Sequence, residues 1–188
     1  MANIASNVTA GKPKIGGAIY IAPLETELPT STTDALTGFT CLGYVSEDGV
    51  TNDNSPESDS VKAWGGDTVL TLQTDRPDSF SFTLLEVLNE DVLKVIYGDS
   101  NVNTDASGNI SVKATSEALL GHSWVIDMIV RDGRAKRIVI ANGTVSNLAT
   151  ITYSDTAAVG YGITITDVPD ESGVYHYEYI SAESEISG

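Results

Sequence analysis

Apolar residues recur at every second position through most of this chain, a period that commits it to strands. In the stretch 79–84, Phe80, Phe82 and Leu84 alternate with Ser81 and Thr83, the pattern of a half-buried strand. Trp124, Ile126, Met128 and Val130 share one face, with Ser123, Asp127 and Arg131 on the other. Asp132-Gly133 follows, a strong two-residue hairpin signal, and a return strand is predicted over 135–140. Further strands are predicted at 18–22, 39–45, 68–73, 144–153, 160–168 and 174–180, with Leu70 and Leu72 sharing a face in the third of these. Asn142-Gly143, Ser154-Asp155 and Pro169-Asp170 punctuate the later ones. One segment breaks the period. Asn89 precedes Glu90 and Asp91, Val92, Val95 and Ile96 lie at helical spacing, and Gly98 closes the run. Its Val and Ile content would also suit a strand, but the capping signals at both ends predict a helix over about residues 89–97.

Two stretches read as long loops: 23–36, rich in Thr, Pro and Ser, and 46–60, which has five acids, no base and hardly any apolar residue. An acidic loop of that length is either functional or mobile until it binds. With 188 residues the chain suits one domain. The organisation expected is a flexible arm over 1–13, one β domain over 14–180 carrying the acidic loop, and a flexible tail over 181–188. Residues 1–10 lack the basic stretch and apolar core of a secretory leader, so none is expected. No apolar run approaches the length of a membrane span.

Charge narrows the function classes. Ten Lys and Arg against 26 Asp and Glu give a net charge of −16, and residues 25–110 hold 16 of the acids against three bases. Such a surface repels phosphate, which disfavours tight nucleic-acid binding and docking on an anionic membrane. Cys41 is the single cysteine, so no intrachain disulfide is expected, and its position on an apolar strand suits a small buried hydrophobe.

Catalytic patterns are weak. Ser123, His122 and Asp127 could be drawn as a triad, but strand alternation sends neighbours to opposite faces. Gly65-Gly66 lacks the lysine and following helix of a phosphate loop and reads as a turn or bulge. The stretch 99–105 has alternating oxygen ligands but no central glycine and no closing glutamate, so a turn is the better reading than a calcium loop. No enzyme, cofactor or metal site is expected. Tyr175, Tyr177 and Tyr179 share a strand face that suits either a core or an interface edge.

Several short segments occur in an order seen elsewhere: 14–20 (KIGGAIY), 42–50 (LGYVSEDGV), 63–67 (AWGGD), 93–98 (LKVIYG), 124–127 (WVID) and 137–140 (RIVI). On these the chain resembles the tail tube (major tail) proteins of long, flexible-tailed bacteriophages, chiefly those of Gram-positive hosts. The resemblance implies a β-sandwich or barrel of two packed antiparallel sheets with one flanking helix. It implies six-subunit rings stacked into a tube, with inner sheets joined edge to edge and DNA passing down the lumen without specific binding. It also implies a place in the virion tail, synthesis in the bacterial host cytoplasm, and tape measure, tail terminator and distal tail proteins as partners. A non-enzymatic β-sandwich that binds or decorates a virion or cell surface is the alternative.

Within that reading, Glu47, Asp48, Asp53, Glu57 and Asp59 of the acidic loop are the candidates for contact between rings or subunits. Lys12, Lys14, Lys62, Arg134, Lys136 and Arg137 are the possible charge partners. Asp67, Asp75, Asp78, Glu86 and Asp127, on or beside predicted strands, are the candidates for a negative lumen wall. Asp127 is the weakest, because it alternates with Val125 and Ile129 and could instead pair with Arg131 or Arg137.

Overall fold

The computed structural model describes residues 3–182. The chain begins with β1 (Lys12–Pro13), β2 (Ile19–Pro23), β3 (Thr40–Cys41), β4 (Val45–Asp53), β5 (Glu57–Lys62), β6 (Thr68–Asp75) and β7 (Ser79–Leu84). Helix α1 (Glu90–Tyr97) follows, then β8 (Val102–Thr104), β9 (Ile110–Val112), β10 (His122–Ile129), β11 (Ala135–Leu148), β12 (Tyr161–Asp167) and β13 (His176–Ile180). Nine of the strands make one antiparallel sheet in the order β3-β2-β10-β11-β12-β7-β4, with β1 added to β10 and β13 to β11. The pairs β5-β6 and β8-β9 stand apart as two-stranded ribbons.

Strand β11 organises the sheet. Its first half lies between β10 and β13, with Asp127 opposite Arg137 and Ile140 opposite His176. From Gly143 onward it pairs instead with β12, Gly143 facing Asp167 and Leu148 facing Ile163. The strand therefore carries the sheet round a corner, and two halves face each other across one core. Trp124, Ile126, Ile138 and Ile140 enter that core from one half, and Phe80, Phe82, Leu84, Ile163 and Ile165 from the other. Phe82 meets Trp124 edge-on at 6.1 Å between ring centroids. The two packed sheets expected from the resemblance are thus the two ends of a single curled sheet, and its strand order does not close into a barrel.

Helix α1 plugs one side of the core through Val92, Leu93, Val95 and Ile96. It starts where the sequence predicts: the Asn89 side chain accepts a hydrogen bond from the Asp91 N–H at 3.0 Å. Lys94 and Glu90, one turn apart, pair at 2.7 Å on its outer face.

Four expectations change. Residues 46–60 are not a structureless loop: most of them form β4 and the start of β5. Asn142-Gly143 is no turn, because the chain runs through it inside β11. Residues 3–13 of the expected arm are not free: β1 pairs with β10, and the Arg131 guanidinium donates to the Ala5 carbonyl at 2.8 Å, while residues 1 and 2 lie outside the described residues. At the other end Ser181 is buried and exchanges hydrogen bonds with Ala135. The rest of the expected C-terminal tail, 183–188, lies outside the described residues.

The corner in β11 depends on a missing side chain. The Trp124 indole N–H donates to the Gly143 carbonyl at 2.8 Å, and a Cβ at Gly143 would sit 3.0 Å from the Trp124 ring. Gly143→Ala should therefore displace a fully buried tryptophan and destabilise the fold by about 1–3 kcal/mol. The urea midpoint checks this; an unchanged midpoint would mean that the close approach does not constrain the corner.

Candidate functional site

The most exposed part of the molecule is the β5-β6 hairpin. Every residue from 55 to 77 is exposed, although the ribbon is regularly paired, with Val61 opposite Leu70 and Asp59 opposite Leu72. Its tip is a turn over 63–67, closed by the Ala63 N–H donating to the Asp67 carbonyl at 2.8 Å. Gly65 and Gly66 take the positive φ values the turn requires, and Trp64 projects fully into solvent. Eight residues of strand carry the tip about 25 Å from the base, at the usual rise per residue. Leu70 and Leu72 share a face as the alternation predicts, but with Val61 they line an apolar strip in water, each about half exposed. Such a strip is apolar surface that the ribbon does not bury by itself.

A second exposed feature is the outward face of the β4-β7-β12-β11 half. Ser81, Thr83, Thr164 and Thr166 stand on it, with Ser81 Oγ and Thr164 Oγ1 2.8 Å apart and the Thr166 hydroxyl donating to Ser146 Oγ at 2.7 Å. Thr51 and Asp48 join the same shallow groove. No Lys or Arg occurs in β4, β7, β12 or residues 143–148 of β11. Both edges of this half lack a strand partner among the described residues: β4 on one side and residues 145–148 of β11 on the other.

The other half differs, because a loop over 24–38 covers its outer face. Arg137 holds that loop in place. Its guanidinium donates to both Asp127 carboxylate oxygens at 2.7 and 2.8 Å, and to the Ser31 and Asp34 carbonyls at 3.0 and 2.8 Å. Lys14 Nζ adds a contact to Asp127 at 3.3 Å. Arg137 and Asp127 are 2% and 3% exposed, so this ion pair lies under the loop beside Val125 and Val139. At the loop's surface, hydrogen bonds from Ser31 and Thr30 hold the Asp34 carboxyl below its usual range.

The acids expected to act together are dispersed. Glu47, Asp48 and Asp53 lie exposed on the edge strand β4, while Glu57 and Asp59 lie on the hairpin. Asp67 is at the hairpin tip and Asp75 at the end of β6. Glu86 is half-buried after β7, where its carboxylate accepts from the Tyr44 N–H at 3.1 Å and from the Asn89 amide at 3.2 Å. Asp78 and Asp127 are buried, so neither presents charge to a solvent channel, and that expectation is corrected. Alternation sets Asp78 in phase with Phe80 and Asp127 in phase with Val125 and Ile129, and of the two alternatives offered for Asp127 the structure pairs it with Arg137.

Most of the suggested cationic partners are engaged within the subunit. Lys14 and Arg137 hold Asp127, Lys136 meets Glu178 at 2.9 Å, and Arg134 Nε donates to the Ser181 carbonyl at 2.7 Å. Ser123 donates to the Ala141 carbonyl and the His122 ring faces the Leu120 carbonyl, so these two and Asp127 do not assemble as a triad. Asp105 closes the β8-β9 turn by accepting from the Ser107 and Asn109 N–H groups, as expected of a turn rather than a calcium loop. Cys41 is half-buried. No helix among the described residues is long and apolar enough to cross a membrane.

Bare sheet edges and a projecting ribbon are surfaces through which a β-rich protein can pair with another chain. The family model described as phage tail tube protein matches residues 2–187. The chain belongs to the phage tail tube protein family, and its role is structural. Among curated proteins none matches the sequence significantly.

The buried pair gives a direct check. Arg137→Ala leaves Asp127 without its main partner inside the fold and should cost about 3–5 kcal/mol. Lys136→Ala, on a surface pair, should cost no more than about 1 kcal/mol. Denaturant titration of the two variants compares them; equal losses would contradict the role given to Arg137.

Proposed function

We propose that this chain forms the wall of a tail tube by joining β4 of one subunit to residues 145–148 of β11 in the next. The observation that carries this is the four-strand half with a bare edge at each end. Four is an even number, and every pairing within the half is antiparallel. β4 of one copy therefore meets β11 of the next antiparallel, and the alternation continues from subunit to subunit. Such a contact is heterologous and closes into a ring when the rotation per subunit divides a full turn. Six copies per ring is the stoichiometry the family resemblance implies. In the isolated chain β4 is an edge of nine residues with unpaired backbone groups, a liability that ring closure removes.

The bare face of this half then turns to the lumen, since the loop over 24–38 covers the other half. A wall of serine and threonine hydroxyls with no lysine or arginine offers a passing phosphate no cation to exchange for its counterions. DNA would slide through without specific binding. Asp48 adds negative charge on that face, and Asp67, Asp75 and Glu86 remain the lumen candidates from the original set, at the hairpin and the end of β7.

The hairpin reaches away from its own subunit and carries the apolar strip of Val61, Leu70 and Leu72. It would lie on a neighbouring copy, in the same ring or the next, with Glu57 and Asp59 at that contact. Lys12, Lys62, Arg76 and Lys113 form no ion pair among the described residues and are cations that would receive them. The tube sits in the virion tail, after synthesis in the host cytoplasm, with tape measure, tail terminator and distal tail proteins bounding its length.

Cysteine crosslinking tests the joint. In a Cys41→Ser background, single cysteines placed over 48–52 and over 145–148 of the same chain should include pairs that crosslink only after assembly. Closed rings give a ladder that stops at a fixed number of rungs, six on this reading. Assembled tubes in which no such pair crosslinks, or in which crosslinks stop at dimers, would contradict it. Deleting 57–73, the body of the hairpin, should leave the monomer folded and prevent tube growth by electron microscopy.

A further inference from the structure

Three polar side chains from three strands meet inside the protein, and no part of the tube wall described above uses them. Asp78 lies just before β7, Asp167 ends β12 and His176 begins β13. Their candidate ligand atoms all lie within 4.8 Å of one another. Asp78 is 0% and Asp167 4% exposed, and the His176 side chain is 16% exposed. Neighbouring backbone holds the cluster together: the Asp167 N–H donates to the Asp78 carbonyl at 3.0 Å.

Two of the three are oriented by neighbours. Asp78 accepts from the Asn52 amide at 2.6 Å through Oδ1, and its Oδ2 is hydrogen-bonded to His176 Nδ1. The His176 ring is set edge-on to Phe80 at 5.2 Å. Asp167 is the exception: neither of its carboxylate oxygens has a hydrogen-bond partner. A buried carboxylate left bare is among the most costly arrangements a fold can hold. It lies beside a second buried carboxylate, Asp78, which pairs with His176, and among the described residues no Lys or Arg is paired with either.

We propose that Asp78, Asp167 and His176 form a binding site for one divalent transition-metal ion, with zinc the best fit and manganese second. Two carboxylates balance the charge of a divalent cation. One imidazole nitrogen with two carboxylate oxygens is a donor set for zinc and manganese, whereas calcium and magnesium take oxygen ligands. A four-coordinate ion held by these three groups would keep one position for water. Asn52, which bonds the liganding Asp78, is the outer partner that keeps that carboxylate in place. Burial, and then the charge of Asp78, push the Asp167 carboxyl up to about 8. The ion would tie β7, β12 and β13 together at the corner of the sheet, and reach β4 through Asn52. This inference stands independently of how subunits join.

The test uses the full chain without an affinity tag. After chelator treatment and desalting, zinc chloride, manganese chloride and calcium chloride are titrated separately by calorimetry, and melting is followed at saturation. The site predicts one equivalent of zinc, weaker manganese binding and none of calcium at this site. It also predicts a rise in Tm of about 5–10 °C at zinc concentrations near 100 times Kd. Asp167→Asn keeps the shape, mimics the protonated carboxyl and should fold, yet lose zinc affinity by more than the roughly 10–100-fold caused by losing an outer partner. His176→Gln should do the same and serves where the first variant does not fold. Absence of stoichiometric zinc binding would overturn the proposal. So would variants that bind zinc like the parent, which would place binding on the exposed acids. A chain whose Tm ignores every metal but rises in Asp167→Asn would hold a proton only, and would also overturn it.

Discussion

The outward backbone N–H and C=O groups of β4 and of the last residues of β11 have no strand partner among the described residues, and the rest of the functional account depends on that deficit. Water satisfies such groups in a monomer, but a nine-residue exposed edge is also a template for another chain. The same half of the sheet leaves its outward face uncovered. In the other half, loop 24–38 closes the outer face, so Val125, Val139 and the Asp127–Arg137 pair are buried there. The subunit is thus finished on one side and unfinished on the other.

A single strand makes this asymmetry possible. β11 is long enough to serve both halves, pairing with β10 and β13 before Gly143 and with β12 after it. The close contact of Gly143 with Trp124 sets where the change of partner falls. The same corner brings Asp167 next to Asp78 and His176, so the buried polar cluster is a product of the fold's central turn. A cation there would stiffen the base of β4, the strand on which the proposed ring contact rests.

Much of this was legible in the sequence. Period-two alternation located β2, β7, β10, β12 and β13, and the capping residues around 89–98 located α1, because both signals are local. The stretch 46–60 failed because its strands carry almost no apolar residues: β4 pairs along one side only, and β5 pairs with β6 but leaves every side chain exposed. Composition reads such segments as loops, whereas ribbon pairing satisfies their backbone without burying side chains. Leu70 and Leu72 were placed correctly on one face, but alternation alone could not show that the face lies outside the monomer's core. Asp78 was offered to the lumen although alternation sets it in phase with Phe80, whereas for Asp127 the alternation already named Arg137 as a partner, and the segment that covers that pair is distant in sequence. Asp78, Asp167 and His176 share no motif; each stands at a strand end, and only the topology joins them.

Amide hydrogen exchange compared between dispersed subunits and assembled tubes addresses the central claim most directly. The account predicts that residues 45–53 and 145–148 exchange quickly at their outward N–H groups in the subunit and become protected in the tube. Residues 163–165 of the central β12 should be protected in both. Equal exchange of the two edges before and after assembly would show that subunits join elsewhere and would contradict the edge-to-edge wall.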